Sequence, residues 1–373
     1  MFRLARPRVT ESPDGLKADM ASDQTGSVDY ERLMRLLDMN GISPLAHKNG
    51  GRMPGAPEAF RRKLEHRYLS TLRANMLQQR ETFNIIGALK SAGVDAIPLK
   101  GSVASEVLFD DLGAYPNADI DILVRPDEME RTATILERSG YMKGDALVDG
   151  LMDAADYHTA FSNGTYVVEV HWNLVKRYYC ISPDFWWENA GSIEVQGTAV
   201  TALSAERYLL YTIFRLFSHA FRPLRFFVLV AAIVDKYHDE IDWSLLLGLA
   251  DRLRMRRLVV FCLKLLHDEF GMEAVPAPIR SERLWGYAFL KEKVRSGVVQ
   301  ESVRIHIRML LYLLLLDGPQ DAMRAVAGRI FPHTSEIRLR YGLPAKSKLV
   351  YIYYLLNPIF LVTRKREKTV NSE

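Results

Sequence analysis

IPLKGSVASEVLFDDLGAYPNADIDILV, residues Ile97 to Val124, is the stretch whose reading decides the fold. Ile97-Pro98-Leu99 has the character of a short buried strand. Gly101-Ser102 breaks it where the chain turns sharply and leaves backbone N–H groups free. Val103 to Phe109 fits a short helix. A helix N-terminus behind a glycine turn attracts phosphate, because unsatisfied N–H groups and the helix dipole both favour an anion. Asp119-Ile120-Asp121-Ile122-Leu123-Val124 then alternates at period two. On a strand this sets Asp119 and Asp121 on one face and Ile120 and Ile122 on the other. Adjacent carboxylates repel and lose hydration near a core. A divalent cation answers both costs, and Mg²⁺ combines a few carboxylate oxygens with substrate phosphates. Taken alone, D-x-D fits a solvated acidic edge strand equally well, so its company decides.

Downstream, Pro126 to Ser139 reads as a helix with acids in its first turn and Gly140 as its stop. Tyr157 to Ser162 and Thr165 to Trp172 read as strands joined by Asn163-Gly164, a pair that suits a two-residue type I′ hairpin. Within VVEVHW, Glu169 shares a face with Thr165, Val167 and His171, while Val168, Val170 and Trp172 face away. A single acid between valines supplies a third carboxylate. His171 is expected to be structural more readily than catalytic. Trp172 is expected in the core, and His158 is expected to be structural, paired across the hairpin. Tyr178 to Ala190 is aromatic-rich and irregular, and Ile193 to Thr201 suggests a hairpin turning at Gln196-Gly197. Ser204 looks like an N-cap. Helices follow at Ala205–His219, Leu224–Tyr237, Trp243–Arg252, Arg257–Phe270, Glu282–Val294, Val303–Leu316 and Lys346–Thr363, with breaks at Pro276-Ala277-Pro278 and Phe331-Pro332.

Upstream, residues 1–28 are polar and read as a disordered tail. Tyr30–Met39 is a short amphipathic helix, His47–Ala56 a loop, and Pro57–Ala92 a long helical pattern with Leu64, Tyr68, Leu72, Met76 and Phe83 as its apolar stripe. The expected organisation is a tail (1–28), N-terminal helices (29–92), an α+β core on a small mixed sheet (93–201) and an α-helical C-terminal domain (202–373).

The chain of 373 residues has a formal charge of +4, which gives no case for nucleic-acid binding. Cys180 and Cys262 form no CxxC or Cys/His cluster, which suits a reducing, cytoplasmic setting. The N-terminus lacks a secretory h-region, and no apolar run reaches the ~20 residues of a membrane helix. LLYLLLL (310–316) and LVYIYYLLNPIFLVT (349–363), followed by RKREK, are expected as buried helices; the alternative is contact with a membrane surface.

Gly101-Ser102 after a strand, Asp119 and Asp121 on the next, and Glu169 on a later one stand in order along the chain. This resembles the polymerase-β-type nucleotidyltransferase superfamily, with its hG[GS], hDhDh and h[DE]h signature. LKGS (99–102), DIDILV (119–124), LERSGY (136–141) and VEVHW (168–172) are most similar to the bacterial family of uncharacterised nucleotidyltransferases, over residues 30 to 365. The pattern departs in two places: Ala114–Ala118 lacks an arginine before DID, and RPLRFFVLVAA (222–232) lacks an aspartate. The resemblance implies that Asp119, Asp121 and Glu169 hold Mg²⁺ or Mn²⁺ and are catalytic. It also implies that Lys100, Gly101 and Ser102 cradle the phosphates of a nucleoside triphosphate. The implied reaction transfers a nucleoside monophosphate to the hydroxyl of a small molecule, sugar or protein. The alternative is a degenerate nucleotide-binding or scaffold protein, accessory to polysaccharide or peptide biosynthesis. His219 and Arg222 are candidates to line an acceptor cleft, and Arg254, Arg256 and Arg257 read as a solvated helix face.

Overall fold

The alternation at Asp119–Val124 becomes the second strand of a five-stranded sheet in the computed structural model. It describes residues 5, 28–50, 55–143, 157–175, 179–299, 311, 313–330, 334–344 and 347–363. Three helices come first: α1 (Tyr30–Met39), α2 (Ser43–Gly50) and the 34-residue α3 (Glu58–Ser91). β1 (Ala96–Pro98), α4 (Ser102–Phe109), β2 (Ile120–Val124), α5 (Met129–Arg138), β3 (Met142–Lys143), β4 (His158–Ser162) and β5 (Val167–His171) build the core. A short helix α6 (Asp184–Trp187) and a hairpin of β6 (Gly191–Val195) and β7 (Thr198–Ala202) lead to α7 (Ala205–Ser218), α8 (Arg225–Tyr237), α9 (Trp243–Arg252) and α10 (Arg256–Phe270). The remaining described helices are α11 (Ala277–Ser281), α12 (Tyr287–Val299), α13 (Pro319–Ile330), α14 (Thr334–Tyr341) and α15 (Val350–Thr363).

The sheet order is β1-β2-β5-β4-β3. β2 and β5 run parallel, with Asp121 opposite Glu169 and Ile122 opposite Val170, and the other pairs are antiparallel. The fold is α+β: a mixed sheet with flanking helices, followed by C-terminal helices. One sheet face is apolar. Ile120, Ile122, Val124, Val168 and Val170 pack there with Ile85, Ile86 and Leu89 of α3 and Leu136 of α5, all buried. Each such side chain contributes about 1.5–3 kcal/mol on leaving water. The opposite face carries Asp121, Leu123, Glu169 and His171. Leu123 joins the larger core that includes Leu210, Tyr211 and Phe214 of α7, so that face turns toward the C-terminal helices.

Local signals account for many of the ends. Ser204 caps α7 by accepting from Arg207 N, and Gln196-Gly197 makes a tight turn with φ of 49° and 75°. The structure differs from expectation in several places. The 47–56 loop is shorter than read: His47–Gly50 forms the last turn of α2, because Leu45 and Ala46 bury a face that carries the helix on. Asn163-Gly164 lies in a four-residue loop closed by Ser162 opposite Val167. Asn163 Oδ1 accepts from Thr165 N (3.0 Å) and Tyr166 N (2.8 Å), a side-chain turn that replaces the two-residue one. Pro276 precedes α11 rather than ending structure, since proline suits a helix start, and Glu282–Gly286 is non-helical. Met76 is 56% exposed, while the polar Asn75, Gln78, Gln79 and Thr82 are buried in mid-α3. The expected tail (apart from Ala5 and Val28), most of Val303–Leu316 and Phe331-Pro332 lie outside the described residues. Among the described residues no helix is long and apolar enough to cross a membrane.

Candidate active site

Gly101 follows β1 by three residues and caps the start of α4 with φ 88° and ψ −154°, a conformation essentially confined to glycine. A methyl group here would meet Gln78 Oε1 at 3.4 Å and the Asp119 carbonyl at 3.6 Å, ordinary contacts, so the backbone conformation rather than space calls for glycine. The turn lies between α3 and the approach to β2. Ser102 is the first residue of α4; its Oγ is buried and takes no hydrogen-bond partner, as does Gln78 Oε1. The loop that delivers Asp119 is pinned from α3 and α4. Asn75 Nδ2 donates to the carbonyls of Leu112 (2.6 Å) and Tyr115 (2.8 Å), and Asn117 Nδ2 donates to Ser105 Oγ (3.1 Å).

Asp119 lies just before β2 and Asp121 within it, and Lys100 joins them. Its Nζ donates to Asp119 Oδ1 and Oδ2 (2.9 and 3.0 Å) and lies 2.7 Å from Asp121 Oδ2. The Asp121 side chain is fully buried, so that Oδ2 meets the Lys100 ammonium away from water. The parallel β2/β5 register then brings up Glu169 and His171. His171 Nε2 lies 3.2 Å from Asp121 Oδ1 and 3.5 Å from Glu169 Oε2. One ligand atom each from Asp121, Glu169 and His171 lies within 4.8 Å of the others.

The electrostatics follow from these contacts. The hydrogen bond from His171 holds the Glu169 carboxyl well below its usual range, against the opposing effect of burial. Burial disfavours charge on His171, yet the hydrogen bonds and charges of Asp121 and Glu169 raise its pKa. His158 stacks on His171 with ring centroids 4.9 Å apart and is pulled down to about 4, by burial and by His171, so it is neutral near pH 7.

These residues fit a divalent cation. The ammonium of Lys100 shows that a positive group is accommodated between Asp119 and Asp121. The carboxylates of Asp121 and Glu169 and the His171 imidazole, each offering one ligand atom, complete the donor set.

Of the residues singled out in the sequence, Lys100, Asp119 and Asp121 meet directly, and Glu169 meets Asp121 through His171. His171, expected as structural, lies in the cluster that could hold a metal ion, and its pairing opposite His158 is as read. Trp172 is half-buried. Arg222 Nη2 rests 3.9 Å from Met39 Sδ, and His219 stacks on Phe226 at 4.4 Å. Arg256 and Arg257 are not a free face: Arg256 pairs with Asp251 and Glu282, and Arg257 donates to the carbonyls of Leu314 and Trp285. Gln78 was missed, since a glutamine in a polar helix carries no pattern. Arg215 of α7 was missed too; its Coulombic influence reaches His158, and it feels Asp121 in turn. A separate cavity of about 780 Å³ between α1 and α3, lined by Tyr30, Arg35, Phe60, Arg62 and His66 among others, holds none of the residues of this cluster.

The family described as uncharacterised nucleotidyltransferase matches residues 26–271, and the chain belongs to it. The match takes in the sheet, the carboxylates and α7 to α10, and stops short of the residue 365 suggested by the sequence pattern. No curated protein and no solved structure matches significantly. A family of nucleotidyltransferases implies a nucleoside triphosphate substrate, and the buried Asp-Glu-His cluster supports general nucleotidyl transfer.

Proposed function

We propose that the protein is a metal-dependent nucleotidyltransferase that moves a nucleoside monophosphate from a nucleoside triphosphate to an acceptor hydroxyl. The observation that carries this reading is the parallel register of β2 and β5. It sets Asp121 beside Glu169 while Lys100 ties Asp121 to Asp119 at the mouth of the Gly101-Ser102 turn. Asp119, Asp121 and Glu169, with His171, would hold Mg²⁺ or Mn²⁺. Such an ion supplies Lewis-acid stabilisation of charge on the reacting phosphate.

The chain's own groups supply the rest. Backbone N–H groups at the start of α4 and the unpartnered Ser102 hydroxyl receive the outer phosphates. Lys100, 14% exposed, is placed to follow the phosphate charge once a metal takes over the carboxylates. Glu169, with 27% of its side chain exposed against none for Asp121, is the acid an acceptor hydroxyl can reach. The acceptor oxygen attacks the α-phosphorus, the bond to the β-phosphate oxygen breaks, and pyrophosphate leaves.

The Lys100 ion pairs also favour a second reading, in which lysine permanently replaces the metal and the protein binds nucleotide without turnover. Calorimetry with non-hydrolysable ATP, GTP, CTP and UTP analogues separates the two, with Mg²⁺ or Mn²⁺ and with the Asp119→Asn/Asp121→Asn variant alongside. Metal-dependent binding that the variant loses supports the transferase. Binding indifferent to metal supports the lysine-filled site, and no binding by the folded wild type refutes both.

A further inference from the structure

Helix α7 carries two arginines eight positions apart, Arg207 and Arg215, in opposite surroundings. Arg207 is 2% exposed and fully answered: Nη2 pairs with Glu188, Nε donates to the Phe185 carbonyl at 2.6 Å, and Cζ lies 4.9 Å from the centre of the Phe185 ring. Arg215 has no carboxylate within ion-pair distance among the described residues. Its one polar contact is a long one, Nη1 to the Tyr211 hydroxyl at 3.4 Å, and its Nε is buried without a partner. Tyr211 is not a counter-ion, because burial raises its pKa and keeps it neutral.

A second cation shares its aromatic neighbour. The guanidinium of Arg215 lies 5.6 Å, and that of Arg225 5.3 Å, from the centre of the same Phe226 ring. Arg225 also forms no ion pair among the described residues. An aromatic face offsets part of the cost of burying a cation, but it does not satisfy the N–H donors. A guanidinium fork held this way is built for a planar or tetrahedral oxyanion.

Arg225 opens α8, and α8 packs against α4, the helix that follows the Gly101-Ser102 turn; Lys236 near its far end pairs with Asp110 at the end of α4 (3.6 Å). Tyr211 and Arg215 both feel the Asp121 carboxylate, and Tyr211 feels Glu169 as well. From the other side, Tyr115 feels Arg225, Arg215 and Lys100 together, and Tyr115 is fixed to α4 by its carbonyl (3.2 Å from Ser105 Oγ) and by stacking on Phe109 at 5.6 Å.

We propose that Arg215 and Arg225, which share the Phe226 ring, form a seat for a substrate phosphate group on the helical side of the candidate active site. The phosphate is either the tail of the nucleotide or a phosphate carried by the acceptor itself. The seat rests on the two arginines alone; its part in a reaction rests on the nucleotidyl-transfer reading.

The test is calorimetric titration of the full chain with inorganic pyrophosphate in EDTA, so that no metal mediates binding. Arg215→Gln, Arg225→Gln and Arg215→Lys run in parallel, with circular dichroism of each. The expected result is binding by the wild type, weakened at least ~10-fold in either glutamine variant and less in the lysine variant, which keeps the charge but not the fork. A nucleotide analogue added with Mg²⁺ then finds the source. Competition with pyrophosphate assigns the seat to the nucleotide tail, and simultaneous binding assigns it to a phosphorylated acceptor. Should Arg215→Gln fail to fold, Arg225→Gln and Arg215→Lys decide. Wild type that ignores pyrophosphate, or glutamine variants that bind it unchanged, overturn the proposal. Pyrophosphate bound through the arginines by a protein that binds no nucleotide would leave the seat standing and refute the nucleotidyl-transfer reading.

Discussion

Asp121 and Ile122 are consecutive on β2, and both are almost wholly buried, at 1% and 0% exposure. Ile122 packs between strands and α3 among side chains that ask nothing of it but volume. Asp121 faces the other way, into a lysine, a histidine and a second acid. The same pleat thus supplies one face that stabilises the fold and one that burdens it with desolvated charge. A fold retains such a cluster at a cost that apolar replacements would avoid. That is a reason to look for chemistry on the polar face and stability on the apolar one.

The sharpest break between the faces is Asp121→Asn. Loss of one ligand charge should lower metal-dependent nucleotidyl transfer by about 100-fold or more, several kcal/mol in the barrier. Thermal unfolding should shift far less than activity, because Lys100 keeps Asp119 as its partner. A fall in stability matching the fall in activity would make Asp121 structural. Ile122→Ala should do the reverse. It leaves a cavity costing about 2–5 kcal/mol in denaturant unfolding, with nucleotide affinity of the folded protein retained. Gly101→Ala lies between the two. Its strained backbone should cost about 1–3 kcal/mol and weaken triphosphate binding together, read by unfolding and calorimetry on the same sample. The smallest effect is expected from Lys100→Met. Mn²⁺ should bind on the order of tenfold more tightly, ~1.4 kcal/mol, because no ammonium has to be displaced. Weaker Mn²⁺ binding would show that lysine organises the carboxylates for the metal rather than competing with it.

Much of this contrast is legible in the sequence because a strand writes its two faces at period two. DIDILV and VEVHW assign Ile120, Ile122, Val168 and Val170 to one side and Asp121 and Glu169 to the other without any knowledge of the partners. Ser204 and Gln196-Gly197 are likewise local signals with local consequences. What the sequence hides is set by packing across long separations. Nothing near His171 announces that a parallel strand some 50 residues earlier will bring Asp121 to its Nε2. Gln78 sits in a helix whose polar residues read as solvent-facing, and it is buried because the helix runs beneath the Gly101 turn. Arg215 lies in YTIFRLF, where one cation among apolar residues looks like a helix edge; only the packing shows that it has no carboxylate partner among the described residues and that α8 places Arg225 on the same Phe226 ring. The Asn163 loop shows the opposite failure, a correct pair of residues whose side-chain hydrogen bonds select a longer turn.

The most direct test of the central claim is Mn²⁺ binding followed by the electron paramagnetic resonance of free ion, with and without a non-hydrolysable nucleoside triphosphate. The wild type should deplete free Mn²⁺, more strongly with nucleotide present, and Asp121→Asn should not. A wild-type protein that leaves the free Mn²⁺ signal unchanged, or an Asp121→Asn variant that depletes it equally, would contradict a metal-dependent site on the polar face of the sheet.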